Sequence, residues 1–217
     1  MSSKICIKEN VRIKTKNRYK KMENRLQWIS STGGPLVLIN TQDLNKWFGG
    51  YSFTTEENKI EIYLDGGGLV LEEDFLNPQK THYGKACEHP NLCRIIDFDD
   101  KQVIVLGDEP AATAWFPYSD DLGGIFIRWI FADDEESILR SLKGIPNLGW
   151  ERNGRFTAKS PSFKLIDSFS PGINIKENES LAITLNPGNY DLATLEYQPD
   201  VSTHLRLHQL EVRSPIL

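Results

Sequence analysis

The chain places its apolar residues in short runs separated by turn residues. The densest stretch is 103–131. It opens with Val103-Ile104-Val105-Leu106 and breaks at Gly107-Asp108-Glu109-Pro110. It resumes at Trp115-Phe116-Pro117, turns again between Ser119 and Gly124, and closes with Ile125-Phe126-Ile127-Arg128-Trp129-Ile130-Phe131. Runs of this length, bounded by Gly, Pro and Asp, read as buried strands. Residues 36–39, after the turn Gly33-Gly34-Pro35, continue the pattern, as do 156–158, 163–166, 181–185, 190–195 and 205–210. Residues 59–64 alternate, which predicts one solvated face. The triple glycine 66–68 then predicts a hairpin returning through 69–71. Asn186-Pro187-Gly188-Asn189 predicts a tight hairpin joining the strands on either side of it.

One window carries a helical stripe and both end signals, at about 133–143. Asp133 or Asp134 offers the N-cap, and Glu135 and Glu136 lie where the helix dipole favours negative charge. Ile138, Leu139 and Leu142 form the apolar stripe, and Lys143 and Gly144 supply the stop. Asn40 or Thr41 predicts a shorter helical turn carrying Leu44 and Trp47. The fold class is therefore α+β, mostly antiparallel sheets with one clear helix. Pro146, Gly149 and Gly154 interrupt the pattern. They divide the chain into an arm (1–25), a β-rich half with the helix (26–150) and a second β-rich half (151–217).

Composition sharpens this picture. The 217 residues are 39% hydrophobic and 10% aromatic, enough to bury a sizeable core. No apolar run approaches the ~18 residues that span a bilayer. The first residues lack a secretory apolar core, so the expected location is the cytoplasm. Three cysteines, Cys6, Cys87 and Cys93, argue against a disulfide framework. The net charge of −5 hides a split, with residues 1–25 carrying +7 and the remainder −12. Lys14, Lys16, Arg18, Lys20 and Lys21 could contact phosphates, which would make the chain a nucleic-acid-associated protein. No aromatic platform accompanies them, and a solvated arm is the simpler reading.

Candidate chemistry is sparse. His82, Cys87, His89 and Cys93 are zinc-ligand types within twelve residues. A metal-dependent enzyme using this loop is one alternative. The spacing fits no paired zinc module, however, and the simpler reading is a buried Cys87 with exposed His82 and His89. His204 and His208 share a strand face rather than a helix turn, so they are not read as a metal pair. The triple glycine lacks a following Lys-Ser/Thr, and no G-x-S-x-G nucleophile motif is present. No catalytic residue, cofactor or metal site is assigned. Acidic loops remain: Asp97, Asp99 and Asp100; Asp108 and Glu109; Asp120 and Asp121. Each alone is ordinary turn chemistry. Three within some 25 residues suit a basic protein partner and disfavour nucleic acid. Trp115, between the last two clusters, is either an aromatic anchor for that partner or a core residue. The partner-binding candidates are Asp108, Glu109, Trp115, Asp120 and Asp121.

Several segments, in this order, resemble the immunity protein 21 family of bacterial polymorphic-toxin systems. They are Trp28 with Thr32-Gly33-Gly34-Pro35-Leu36-Val37-Leu38, then Trp47 with Gly49, then Tyr83 with Ala86-Cys87. Val105-Leu106-Gly107-Asp108-Glu109-Pro110 follows with Thr113-Ala114-Trp115, and then Arg128-Trp129 with Ala132-Asp133. Leu185-Asn186-Pro187-Gly188-Asn189-Tyr190 with Tyr197 and Leu207-His208 complete the set. The resemblance implies a protein that binds a cognate toxin domain and blocks it, with no cofactor and no catalysis. It carries over no toxin-contact residues. The basic arm and Gly84-Lys85 depart from the family pattern.

Overall fold

The computed structural model describes residues 25–50, 81–88, 93–107, 110–118 and 122–213. Eleven strands lie among them: β1 (Trp28–Ile29), β2 (Leu36–Asn40), β3 (Cys93–Phe98), β4 (Lys101–Leu106), β5 (Ala112–Pro117), β6 (Gly123–Phe131), β7 (Glu151–Ala158), β8 (Ser162–Asp167), β9 (Ser180–Thr184), β10 (Gly188–Asp200) and β11 (Thr203–Val212). They form a six-stranded sheet of order β1-β5-β6-β11-β10-β7 and a five-stranded sheet of order β3-β4-β2-β8-β9. Every pairing is antiparallel. Two helices accompany them, α1 (His82–Cys87) and α2 (Glu135–Ser141). The fold is α+β and β-rich, as the apolar pattern indicates.

The two-residue period of a strand decides how the layers form. Leu36, Leu38, Ile104, Leu106 and Leu165 from one sheet meet Phe126, Phe156, Tyr190, Leu192 and Leu210 from the other. Neighbouring positions point the other way. Val37, Ile39, Val103, Val105 and Ile166 lie in a second cluster with Trp47 and the α1 residue Ala86. Ala114, Phe116, Ile125, Ile127, Leu205 and Leu207 lie in a third with Ile138 and Leu142 from α2 and the turn after it. Both sheets are thus covered on both faces near their centres. This is why their strands read as continuous apolar runs rather than alternating ones. Each fully buried Leu, Ile or Phe contributes about 1.5–3 kcal/mol.

Capping behaves as the sequence predicts. Asp134 caps α2, accepting from the Ser137 amide at 2.7 Å, and Asn40 caps the 3₁₀ turn Thr41–Lys46, accepting from Gln42 at 2.9 Å. Glu135 does more than complement the helix dipole. It accepts from the indole of Trp28 at 2.6 Å and from the Leu26 amide at 3.3 Å, so α2 holds the two-residue edge strand β1 in place. Gly34 is required by a close approach: a Cβ there would lie 2.5 Å from the Tyr83 ring.

The topology corrects two details of the sequence reading and adds two elements. Asn186-Pro187-Gly188-Asn189 is not a hairpin turn, because β9 pairs with β8 while β10 pairs with β7 and β11. The segment carries the chain from one sheet to the other, and Tyr190 Oη secures it by donating to the Asn186 carbonyl at 2.7 Å. Nor does the break near residue 150 separate two layers, since each sheet takes strands from both sides of it. The residues before and after Cys87, read as loop, form α1 and β3. Thr81 caps α1, and Asp99 and Asp100 turn β3 into β4, with Asp99 at φ 52°. Residues 59–64, 66–68 and 69–71, and the arm up to residue 24, lie outside the described residues. Among the described residues no helix is long and apolar enough to cross a membrane.

Candidate partner-binding surface

Strand β5 organises the candidate residues. Its first residue, Ala112, pairs with Trp129 and its last, Pro117, with Gly124. The segment carrying Asp108 and Glu109 joins β5 at its start, between Gly107 and Pro110. The segment carrying Asp120 and Asp121 joins at its end, between Tyr118 and Leu122. These four acids lie outside the described residues, but their attachment points are fixed by the strand between them. Six residues of strand span about 20 Å. An interface touching both loops must therefore run the length of β5, whereas one at either end is compact. Trp115 sits midway, with 9% of its surface exposed. Its ring centroid is 4.6 Å from that of Phe126, and a Cβ on Gly124 would lie 2.6 Å from the indole.

The remaining acids of the sequence reading take part in turns and pairs. Asp97 is on β3, and Asp99 and Asp100 make the β3–β4 turn. Asp43, which sequence reasoning passed over, is buried and receives Lys101 Nζ at 2.6 Å. Lys101 lies directly after that turn, so the pair ties the turn to the 3₁₀ segment.

The His/Cys cluster does not converge. His82, expected to be exposed, is buried. Its Nδ1 accepts from the Phe48 amide at 2.9 Å, and its ring stacks on Trp47 at 5.0 Å. Burial, aided by nearby Lys85, lowers its pKa to about 4. Cys87, expected to be buried, is half-exposed, while Cys93 is fully enclosed between the sheets. His82 contacts Trp47 and Phe98, on the other face of the five-stranded sheet from Cys93. His89 lies outside the described residues. Among the described residues no three His, Cys, Asp or Glu side chains are grouped to hold a metal.

A second buried polar group lies in the six-stranded sheet. His208 Nδ1 is 2.8 Å from Thr194 Oγ1, and that hydroxyl donates to Asn153 Oδ1 at 2.6 Å. The single hydroxyl proton is thereby committed, which makes His208 Nδ1 the donor. Burial, with Arg128 and Arg206 nearby, holds His208 well below its ordinary pKa, so the ring is neutral. Arg128, equally buried, donates to the Leu106 carbonyl and so joins the two sheets. Burial likewise pushes the Cys93 thiol far up, against the pull of Arg128 and Thr194. These groups brace the interior.

The architecture is an antiparallel two-sheet domain with a helical cover on each outer face, its most perturbed titratable groups sealed inside. The chain belongs to the immunity protein 21 family, whose model matches residues 27–203. No curated protein and no solved structure matches it.

Proposed function

We propose that the chain is an immunity protein that binds a cognate bacterial toxin domain and neutralises it by occluding the toxin's functional groove, without catalysis. The observation that carries this reading is the family match across residues 27–203. The acidic balance of the chain beyond residue 25 supports a basic partner. A nuclease toxin, with a groove shaped for phosphates, has the complementary charge. The loops holding Asp108 and Glu109 and those holding Asp120 and Asp121 supply the acids. Trp115 contributes by anchoring the strand from which both loops spring, since binding residues work best on a rigid scaffold. The reading places the complex in the cytoplasm, where a producing cell meets its own toxin.

The test is a binding titration against the polypeptide encoded by the adjacent reading frame. Asp108→Lys with Glu109→Lys is compared with Asp120→Lys with Asp121→Lys. Loss of binding in either pair, with the melting temperature unchanged, supports acidic-loop contact. Retention within about threefold in both would place the interface elsewhere.

A further inference from the structure

Five large apolar side chains are exposed among the described residues, and they are not scattered evenly. Phe131, 42% exposed, ends β6. Val201, 93% exposed, is at the β10–β11 turn. The register places Phe131 opposite His204 and Asp200 opposite Thr203, so both apolar groups lie at the same end of three adjacent strands. Leu148, 84% exposed, precedes Gly149, where a Cβ would lie 3.4 Å from Leu195 of β10. The His204 ring meets the Phe131 ring edge-on at 5.4 Å, and its Nε2 is 2.9 Å from Glu196. Arg206 pairs with the same carboxylate. This row of Glu196, His204 and Phe131 props Phe131 in place rather than covering it.

Carboxylates surround the apolar groups. Asp133 and Asp134 follow Phe131 after Ala132, Glu136 lies in the first turn of α2, and Asp200 precedes Val201. Among the described residues Asp133, Asp134 and Asp200 have no cation within salt-bridge distance, while Glu136 pairs with Arg140 at 3.5 Å. Hydrogen bonds from Ser137 to Asp134, and from Ser202 to Asp200, lower the pKa of each acid, so both stay ionised. A face that keeps apolar side chains in water beside a net acidic rim has the composition of an interface core with a charged rim.

We propose that the β6–β11–β10 end of the six-stranded sheet is the toxin-docking surface, with Phe131 and Val201 as apolar anchors and Asp133, Asp134, Glu136 and Asp200 as the rim that meets a basic toxin face. The proposal rests on the immunity reading and selects the place for it. The occupant is a basic protein surface with an apolar recess, because the rim carries net negative charge: among the described residues Arg140 pairs with Glu136, and no ion pair is formed by Asp133, Asp134 or Asp200.

The experiment uses the full chain and the polypeptide encoded by the adjacent reading frame. Phe131→Asp with Val201→Asp is compared with the parent by calorimetric titration, and folding is followed by thermal melting. A second variant, Asp133→Lys with Glu136→Lys, tests the rim without touching the apolar pair. The anchor variant is expected to lose at least about 100-fold in affinity at an unchanged melting temperature. The rim variant is expected to lose association rate, most at low salt. Amide exchange of the parent complex is expected to show new protection at 131–134 and 199–203. Binding by both variants within threefold of the parent, or protection confined to 118–124, overturns the surface and leaves the immunity reading standing. Absence of binding by the parent overturns both. A free chain that is already a dimer, and that the anchor variant dissociates, assigns the face to self-association and also overturns the proposal.

Discussion

The two ends of β5 carry similar charge in the sequence and differ in what the fold does around them. At the end near Gly124 aromatic side chains pack closely on the strands. Tyr118 is buried and accepts from Gln209 Nε2 at 2.6 Å, the Trp115 ring lies across Gly124, and Leu122 is the exposed large apolar side chain there, at 45%. At the end near Trp129 Phe131 and Val201 are exposed, and among the described residues Asp133, Asp134 and Asp200 form no ion pair there. Acid clusters alone do not separate the two ends, because Asp is ordinary in any turn. What separates them among the described residues is that two large apolar side chains, Phe131 and Val201, are exposed on adjacent strands at one end and Leu122 alone at the other. On the proposed docking surface the end near Gly124 serves stability and the end near Trp129 serves contact, and substitutions should sort accordingly.

The largest effect is expected at the end near Gly124. Trp115→Ala removes an indole packed on Phe126 and should cost about 3–5 kcal/mol. At this chain length that lowers the melting temperature by roughly 6–20 °C. The folded fraction should still bind toxin with the parent's affinity, which a titration well below the transition measures. Weak binding by a stably folded variant would make Trp115 a contact residue.

Acid should act on the fold before it acts on the end near Trp129. His82 is neutral when folded and has its pKa lowered to about 4 by burial. The unfolded state takes up the proton below about pH 6.5 and the folded state does not until about pH 4. Stability from this residue is thus complete above pH 6.5 and is lost as pH falls towards 4, by roughly 3 kcal/mol. His208, lowered by deeper burial, adds in the same direction. The rim acids Asp134 and Asp200 remain charged through this window. Melting curves of the parent should therefore decline from pH 6.5 to 4, and those of His82→Asn should decline less. An equal decline in both would remove His82 from the account.

Charge reversal at the end near Gly124 should do less. Asp120→Lys with Asp121→Lys is expected to change stability by under about 0.5 kcal/mol. Its effect on affinity should be about tenfold or less, mostly through association rate, and should fade with salt. A loss exceeding that of Phe131→Asp with Val201→Asp would reverse the assignment of the two ends. The smallest effect is expected from removing residues 1–25. The charge of this segment is high and its large apolar content low, so neutralisation and melting temperature should both hold. Loss of protection with retained folding would give the arm a role beside α2, where Leu26 enters the fold.

Local signals gave up most of the strands and α2. The runs at 36–39, 103–106 and 125–128 are continuous because both of their faces are covered, and Asp134 announces its helix by chemistry that acts over three residues. β3 was missed because Cys93, Arg94, Ile95 and Ile96 follow a His/Cys cluster that drew a metal reading. The turn Asp99-Asp100 was the available signal for its hairpin with β4. The sheet crossing at 186–189 was not legible, since Asn-Pro-Gly-Asn serves a hairpin and a crossing equally well. The end near Trp129 was not legible either. Phe131 closes an apolar run and reads as core, and only its register opposite His204 shows that the run outlasts its cover. Long-range pairing decides such positions, and a turn signal carries no information about it.

Stoichiometry tests the central claim most directly. A fixed amount of the polypeptide encoded by the adjacent reading frame is mixed with increasing amounts of the full chain, and residual toxin activity is followed over time. Neutralisation by binding predicts a linear loss of activity that ends at one chain per toxin, with no further change on standing. Complete inactivation by a small fraction of an equivalent, progressing with time, would mean that the chain acts as an enzyme on its toxin and would contradict the account.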